Sequence, residues 1–382
     1  MTRLHTVKQA YLAAKFTLLR KRANVSLISR DNSSGVMLVS SNGAGLGHLT
    51  RVVAVAEAMD EPPLIYTFCS AFEKIGYQRN AIKHHLSPNA FEGTVREWKN
   101  SVLGDLGNFL ENASPRLVIF DGTFVYEPVI EACVRRGIPI LWLQRGCWKA
   151  EISDHSLQKK LPEFFVDGLI IPRDYGAVEP KPIAKVPVMN VAPIVRLDRN
   201  AVLKRTEAIQ ALGLRDDKQY VVIQLGSGAL KRLETEVLRV VAAIRGLGEN
   251  WEPVVVQNPQ APVISGVNSV QAMPLSLYLE AFEFGVFAVG YNTVQECVAL
   301  RFPALYIPNE HTITDDQVRR AHGMAEKGYG LIIDSSTTLE DNVRRLSDAA
   351  FRAKITDRLG KSEPPSGAEE VAAQLRTYGG FD

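Results

Sequence analysis

The chain has 382 residues, enough for two domains of ordinary size. Apolar residues make up 46% and charged residues 23%, which rules out a disordered tail, a collagen-like chain and a disulfide-stapled miniprotein. Its four cysteines (Cys69, Cys133, Cys147, Cys297) are widely spaced with no C-x-x-C pair, so a zinc knuckle is unsupported and free thiols are expected. Residues 1–30 carry seven basic side chains and no acid, while the remaining 352 residues hold 37 basic against 42 acidic groups. The mildly acidic body lacks the concentrated positive face that nucleic-acid binding requires, and no apolar run approaches the ~20 residues that span a bilayer.

In chain order, Leu4, Val7, Tyr11, Ala14 and Leu18 recur at three- and four-residue spacing, predicting an amphipathic helix over 4–22. With Lys8, Lys15 and Arg22 on another stripe, that helix fits either an anionic membrane surface or the outside of the body. From residue 35, short apolar strands (36–41, 64–69, 117–121, 138–143, 168–171) alternate with helical patterns such as 50–59 and 127–136. Continuous apolar strands between helices indicate a parallel sheet covered on both faces. A proline-rich stretch follows (Pro180, Pro182, Pro187, Pro193), and the rhythm restarts with strands at 220–225, 253–257, 285–290, 304–308 and 330–334. The segmentation is a basic helix over 1–34, an α/β domain over 35–190, a linker over 191–205, a second α/β domain over 206–350 and a helical tail over 351–382. Ligands of such sheets bind at the carboxyl ends of the strands.

The first strand runs into Asn42-Gly43-Ala44-Gly45-Leu46-Gly47-His48, then Arg51 on a helix. Glycines permit close backbone approach, and a helix start favours an anion or a developing negative charge. The G-x-G-x-G spacing and the absence of an acid after the second strand argue against a dinucleotide fingerprint, and no Walker A follows. His48 suits a general base at neutral pH or a local hydrogen bond; Asp121, ending another apolar strand, suits an imidazole-orienting carboxylate or a turn acid.

In the second half, strand 220–225 ends in Gly226-Ser227-Gly228 before a helix bearing Lys231 and Arg232, and strand 285–290 leads to Tyr291-Asn292-Thr293-Val294-Gln295-Glu296. A helix start there would offer N–H groups to a diphosphate, with donors from Asn292 and Thr293. Glu296 fits two vicinal ribose hydroxyls or a capping box. A later loop carries His311, Asp315, Asp316 and Gln317, suited to sugar hydroxyls or to solvent.

Gly43–Arg51 resembles the G-x-G-H-x-x-R loop of GT-B glycosyltransferases. Gly290–Glu296, Pro303–Pro308 and Asp316-Gln317 resemble their nucleotide-sugar half. Over about residues 35–350 the pattern is similar to the peptidoglycan N-acetylglucosaminyltransferase and UDP-glycosyltransferase group. Two features depart from it: a single glycine precedes His48, and Tyr291-Asn292 stands where many relatives have small residues. The resemblance implies an α/β fold of two doubly wound Rossmann-like domains with an inter-domain cleft, preceded here by the N-terminal helix.

By that resemblance His48 is the base toward the acceptor, beside the glycine loop of Gly45 and Gly47. Gly226, Ser227 and Gly228 face the diphosphate, as do Tyr291, Asn292 and Thr293. Glu296 binds the ribose, Asp316 and Gln317 the sugar, and backbone near Met273 the nucleobase. The implied activity is inverting, metal-independent transfer from a nucleoside diphosphate sugar, UDP by default, to a hydroxyl of a glycan, lipid-linked or small acceptor. No cofactor beyond the donor substrate and no nucleic-acid partner are expected. The expected location is cytoplasmic, with residues 1–30 either contacting the inner face of the membrane or packing on the body. A nucleotide-sugar 2-epimerase and a non-catalytic partner subunit are the alternatives.

Overall fold

In the computed structural model the described residues are 3–23, 35–41, 46–177, 185–226, 230–257 and 264–377. Gly45, Ser227 and Gly228 lie outside them. Contacts divide the chain into two compact units: Met1–Asp174, Val178–Arg196 and Pro365–Asp382 form the first, and Tyr175–Ala177 and Leu197–Pro364 the second.

The first unit begins with α1 (Arg3–Ala23), β1 (Val36–Ser40), α2 (Gly47–Ala58), β2 (Leu64–Thr67), β3 (Ile82–His84) and α3 (Val95–Ala113). It continues with β4 (Leu117–Asp121), α4 (Glu127–Arg135), β5 (Ile140–Leu143), the short helices α5 (Ala150–His155) and α6 (Leu157–Lys160), β6 (Gly168–Pro172) and β7 (Val188–Val191). Its seven strands form one parallel sheet in the order β3-β2-β1-β4-β5-β6-β7. Val36 and Leu38 of β1 enter one core with α2, while Met37 and Val39 enter the other with α3 and α4. Burial on both faces is why these strands read as unbroken apolar runs. In the pairing of β1 with β4, Ser40 lies opposite Asp121 and Ser41 N–H donates to the Asp121 carbonyl at 2.8 Å. The strand order reverses between these two neighbours, the place where open α/β sheets leave room for a ligand.

The second unit contains α7 (Arg205–Ala211), β8 (Gln219–Gln224), α8 (Leu230–Arg245), β9 (Trp251–Val256), β10 (Asn268–Val270), β11 (Phe284–Ala288) and α9 (Tyr291–Leu300). After these come β12 (Ala304–Ile307), α10 (Gln317–Glu326), β13 (Leu331–Ile332), α11 (Leu339–Ser347) and α12 (Ala349–Gly360). Its sheet is parallel throughout, ordered β10-β9-β8-β11-β12-β13. All ten strands expected from sequence are present. The three additional ones, β3, β7 and β10, are at sheet edges, only three or four residues long and partly exposed. Half-exposed edge strands carry too little apolar signal to be read from sequence.

Residues 351–382, read above as one tail, divide between the units. Helix α12 belongs to the second, whereas α13 (Gly367–Thr377) returns to the first and packs on α2, burying Val371 and Leu375. Glu370 Oε2 accepts from Ala192 N–H at 2.9 Å, which ties this return to the chain just after β7.

Helix α1 seats a face that its apolar spacing did not single out. Phe16 is fully buried with Ala13, and Leu12 and Leu19 pack beside them. Lys15 Nζ pairs with Glu131 at 2.6 Å, Arg20 pairs with Asp167, and Leu157 N–H donates to Gln9 Oε1 at 2.8 Å. The expected stripe points outward: Val7 and Tyr11 are each 66% exposed and Leu18 52%. The helix is apolar on more than one side. Burial of its largest ring, together with acceptors for two cations, selects the seated face.

Candidate active site

In the first unit, α2 begins where β1 ends, and its first turn sets His48 against β4. His48 Nδ1 lies 2.7 Å from Asp121 Oδ1. One turn on, Arg51 Nε donates to Asp121 Oδ2 at 2.9 Å and its terminal nitrogen to Oδ1 at 2.5 Å. An ionised carboxylate only accepts, so Nδ1 carries the ring proton and Nε2 the lone pair. Nε2 has no hydrogen-bond partner among the described residues, and the His48 side chain is 13% exposed. Asp121 is fully buried and Arg51 4% exposed. Gly122 permits the close approach of β4 to β1 here, because a Cβ would stand 2.5 Å from the Phe120 ring and 2.7 Å from Ser41 Oγ. Beyond it, Arg145 donates to Thr123 Oγ1 at 3.0 Å.

Burial lowers the His48 pKa; Asp121 raises it, and Arg51 and Arg145 lower it again, leaving it below the ordinary histidine value. Burial opposes ionisation of Asp121, but Arg51 and His48 hold its carboxyl below the usual range. The cluster therefore rests as guanidinium, carboxylate and neutral imidazole. Of the two roles open to Asp121 from sequence, the imidazole-orienting geometry is the one present. Arg51 was visible in the H-x-x-R spacing, since residues three apart share a helix face. Arg145 was not visible, because only strand order brings the end of β5 beside β4.

In the second unit, Gly226, two residues past the end of β8, has φ 93°, a left-handed conformation suited to glycine. Helix α9 starts after Gly290, an N-cap residue that makes no side-chain capping bond. Tyr291, Asn292 and Thr293 are half-buried there. Glu296, one turn in, makes no capping bond and no other hydrogen bond among the described residues. Burial pushes its pKa up to about 7. Met273 is exposed, in the short stretch between the core residues Ala272 and Leu275.

Two residues of the late loop are engaged in holding it together. Asp316 caps α10, accepting from Arg319 N–H at 3.0 Å. Gln317 Oε1 accepts from Val289 N–H at 3.2 Å and Asn309 N–H at 3.0 Å, joining the ends of β11 and β12. Its carbonyl is thus spent on backbone, and only the amide nitrogen remains to meet a ligand. Sequence reading could not anticipate this, because the two partners are main-chain groups brought together by the sheet. Arg320, fully buried, supports the same loop through Asp315 at 2.7 Å and the Val289 carbonyl at 2.8 Å.

Two doubly wound parallel units of this kind are the GT-B glycosyltransferase fold. The spinosyn forosaminyltransferase SpnP superposes with a TM-score of 0.60 at 18% identity, over 90% of this chain and 99% of that one. MurG of Acinetobacter baumannii gives 0.58 at 14% identity, over 90% and 99%. In sequence, the chain is similar to the UDP-N-acetylglucosamine--N-acetylmuramyl-(pentapeptide) pyrophosphoryl-undecaprenol N-acetylglucosamine transferase of Leuconostoc citreum. Identity is 21%, covering 89% of this chain and 96% of that protein. The protein of the same name from Phocaeicola vulgatus is 22% identical, over 80% of this chain and 85% of its own length. No protein-family model matches. The chain is a glycosyltransferase of GT-B fold, and the 2-epimerase reading is not supported.

Proposed function

We propose that the chain transfers a sugar, with inversion, from a nucleoside diphosphate donor to an acceptor hydroxyl, with His48 as the base. The observation that carries this reading is the His48 Nδ1–Asp121 bond of 2.7 Å, which leaves Nε2 with an open lone pair. The acceptor O–H proton passes to Nε2 as the new C–O bond forms, and the anomeric bond to the diphosphate breaks. The positive end of the α9 dipole, with the Gly226 turn, offsets the charge that builds on the leaving diphosphate. Glu296 accepts from the ribose hydroxyls, and the amide of Gln317 donates to the sugar. UDP is the expected carrier, because the relatives' names specify UDP-N-acetylglucosamine as donor. Calorimetry with UDP, GDP and dTDP tests the donor assignment; absence of binding by all three overturns it.

Glu296 ties donor binding to pH. Its carboxylate accepts ribose hydroxyls best when ionised, and its pKa is about 7. Nucleotide affinity is expected to rise between pH 6 and pH 8. Glu296→Gln is expected to flatten that rise and to weaken UDP by roughly 1.5–3 kcal/mol, the size of a hydrogen bond to a charged group. Isothermal titration across this range checks both.

The chain has no D-x-D triplet. Transfer is expected to persist in EDTA; loss on chelation with recovery on adding manganese would contradict the scheme.

The acceptor is proposed to be membrane-proximal and reached from the cytoplasmic face. The relatives' names include a pyrophosphoryl-undecaprenol acceptor. The outward stripe Val7, Tyr11 and Leu18 of α1, flanked by exposed Lys8, Lys21 and Arg22, suits an anionic lipid surface. The protein is expected to float with vesicles containing phosphatidylglycerol, and Val7→Asp/Leu18→Asp to remain in the soluble fraction; equal partitioning of the two would remove this contact.

A further inference from the structure

The His48–Asp121 pair is not a two-residue device in this protein. Both oxygens of Asp121 are occupied by Arg51, at 2.9 Å and 2.5 Å, and the same guanidinium nitrogen lies 3.3 Å from His48 Nδ1. We propose that Arg51 is the positioning residue of this pair: its two-pronged grip fixes the carboxylate that orients the imidazole and balances its charge, keeping the ring neutral and ready to accept a proton. The inference rests on the reading of His48 as the base.

Charge balance among largely buried groups sets the protonation state of the ring: His48 is 13% exposed, Arg51 4% and Asp121 fully buried. The charged groups facing the imidazole are Asp121 from β4, Arg51 from α2 and Arg145 from the end of β5. With Arg51 present, its guanidinium already matches the Asp121 carboxylate and Arg145 adds further positive potential, so protonating His48 would add an uncompensated charge. With a neutral residue at 51, the carboxylate loses its directly bonded counter-ion and keeps only the weaker influence of Arg145, so the pair holds a proton more readily. An Asp–His pair lacking the arginine would therefore be protonated, and idle as a base, at a pH where this one is free. Geometry matters as well as charge. A planar fork holds both oxygens in one plane, which a single ammonium does not.

Two variants separate these contributions. Arg51→Gln removes the charge and keeps an amide donor; Arg51→Lys keeps the charge and removes the fork. The His48 ring signals are followed by NMR across pH 5 to 9 in the full-length folded protein, with no substrate needed. In Arg51→Gln the apparent pKa of the pair is expected to rise by about 1–3 units. Transfer lost at pH 7 should recover as pH rises. In Arg51→Lys the titration should stay near that of the wild type, while kcat falls at unchanged KM for the donor.

A folded Arg51→Gln protein whose His48 titrates as in the wild type overturns the proposal. So does an Arg51→Lys protein with wild-type kcat, the deciding measurement should Arg51→Gln not fold. A purely structural arginine would lower the folded fraction without moving the titration. If the titration moves as expected but His48→Ala still transfers sugar, the base assignment fails while the hold of Arg51 on the pair stands.

Discussion

A His48→Ala protein is expected to bind nucleotide as the wild type does and to transfer sugar about 10²–10⁴-fold more slowly. The separation of the two effects follows from where the residues sit. His48 belongs to the first unit, at the start of α2, whereas Glu296 and the α9 N-terminus belong to the second. Removing the imidazole deletes the proton acceptor and leaves the proposed donor-binding residues intact. In the wild type the acid limb of the transfer rate should fall below pH 6.5, because burial and the neighbouring arginines depress the His48 pKa despite Asp121. The base works deprotonated, so the rate is retained on the alkaline side of that pKa and lost as pH falls through it. Rates across pH 5 to 8 in wild type and variant, with UDP binding measured alongside, check both points. An active His48→Ala protein would remove the residue from this role.

Asp121→Asn is expected to lower transfer by up to about 10⁴-fold, the cost when an orienting carboxylate becomes an amide that admits the wrong imidazole tautomer. Asp121→Ala should also cost stability, on the order of 3–5 kcal/mol, because it removes the carboxylate paired with a buried guanidinium. Arg51 is only 4% exposed and both of its bonds to Asp121 would be lost. Urea melts of the two variants separate these effects: the amide still offers Arg51 one acceptor and should melt closer to wild type. Equal activity of Asp121→Asn and wild type would leave His48 oriented by something other than this carboxylate.

The origin of these effects shows which parts of the site a sequence can carry. The glycine-rich turn into His48, the apolar strand ending in Asp121 and the Gly290–Glu296 helix start are local patterns, each set by neighbouring residues. Local chemistry also left two uses open for Asp121 and for Glu296. Distance bears on both: Asp121 at the end of β4 meets His48 and Arg51 of α2, while Glu296 makes no capping bond among the described residues. Gln317 shows the converse, since its carbonyl is consumed by two main-chain N–H groups that no motif displays.

By itself the sequence determined the repeating strand–helix order, the two parallel sheets and the places where each chain segment turns back at a strand end. Periodicity and glycine placement are properties of short stretches, and burial on both faces leaves its mark on every central strand. Tertiary structure alone decided which face of α1 is seated, that α13 returns to the first unit, that edge strands complete both sheets, and that one arginine grips both oxygens of Asp121. Each of these depends on groups far apart in the chain competing for the same space or the same charge, a competition settled only when the sheets are assembled.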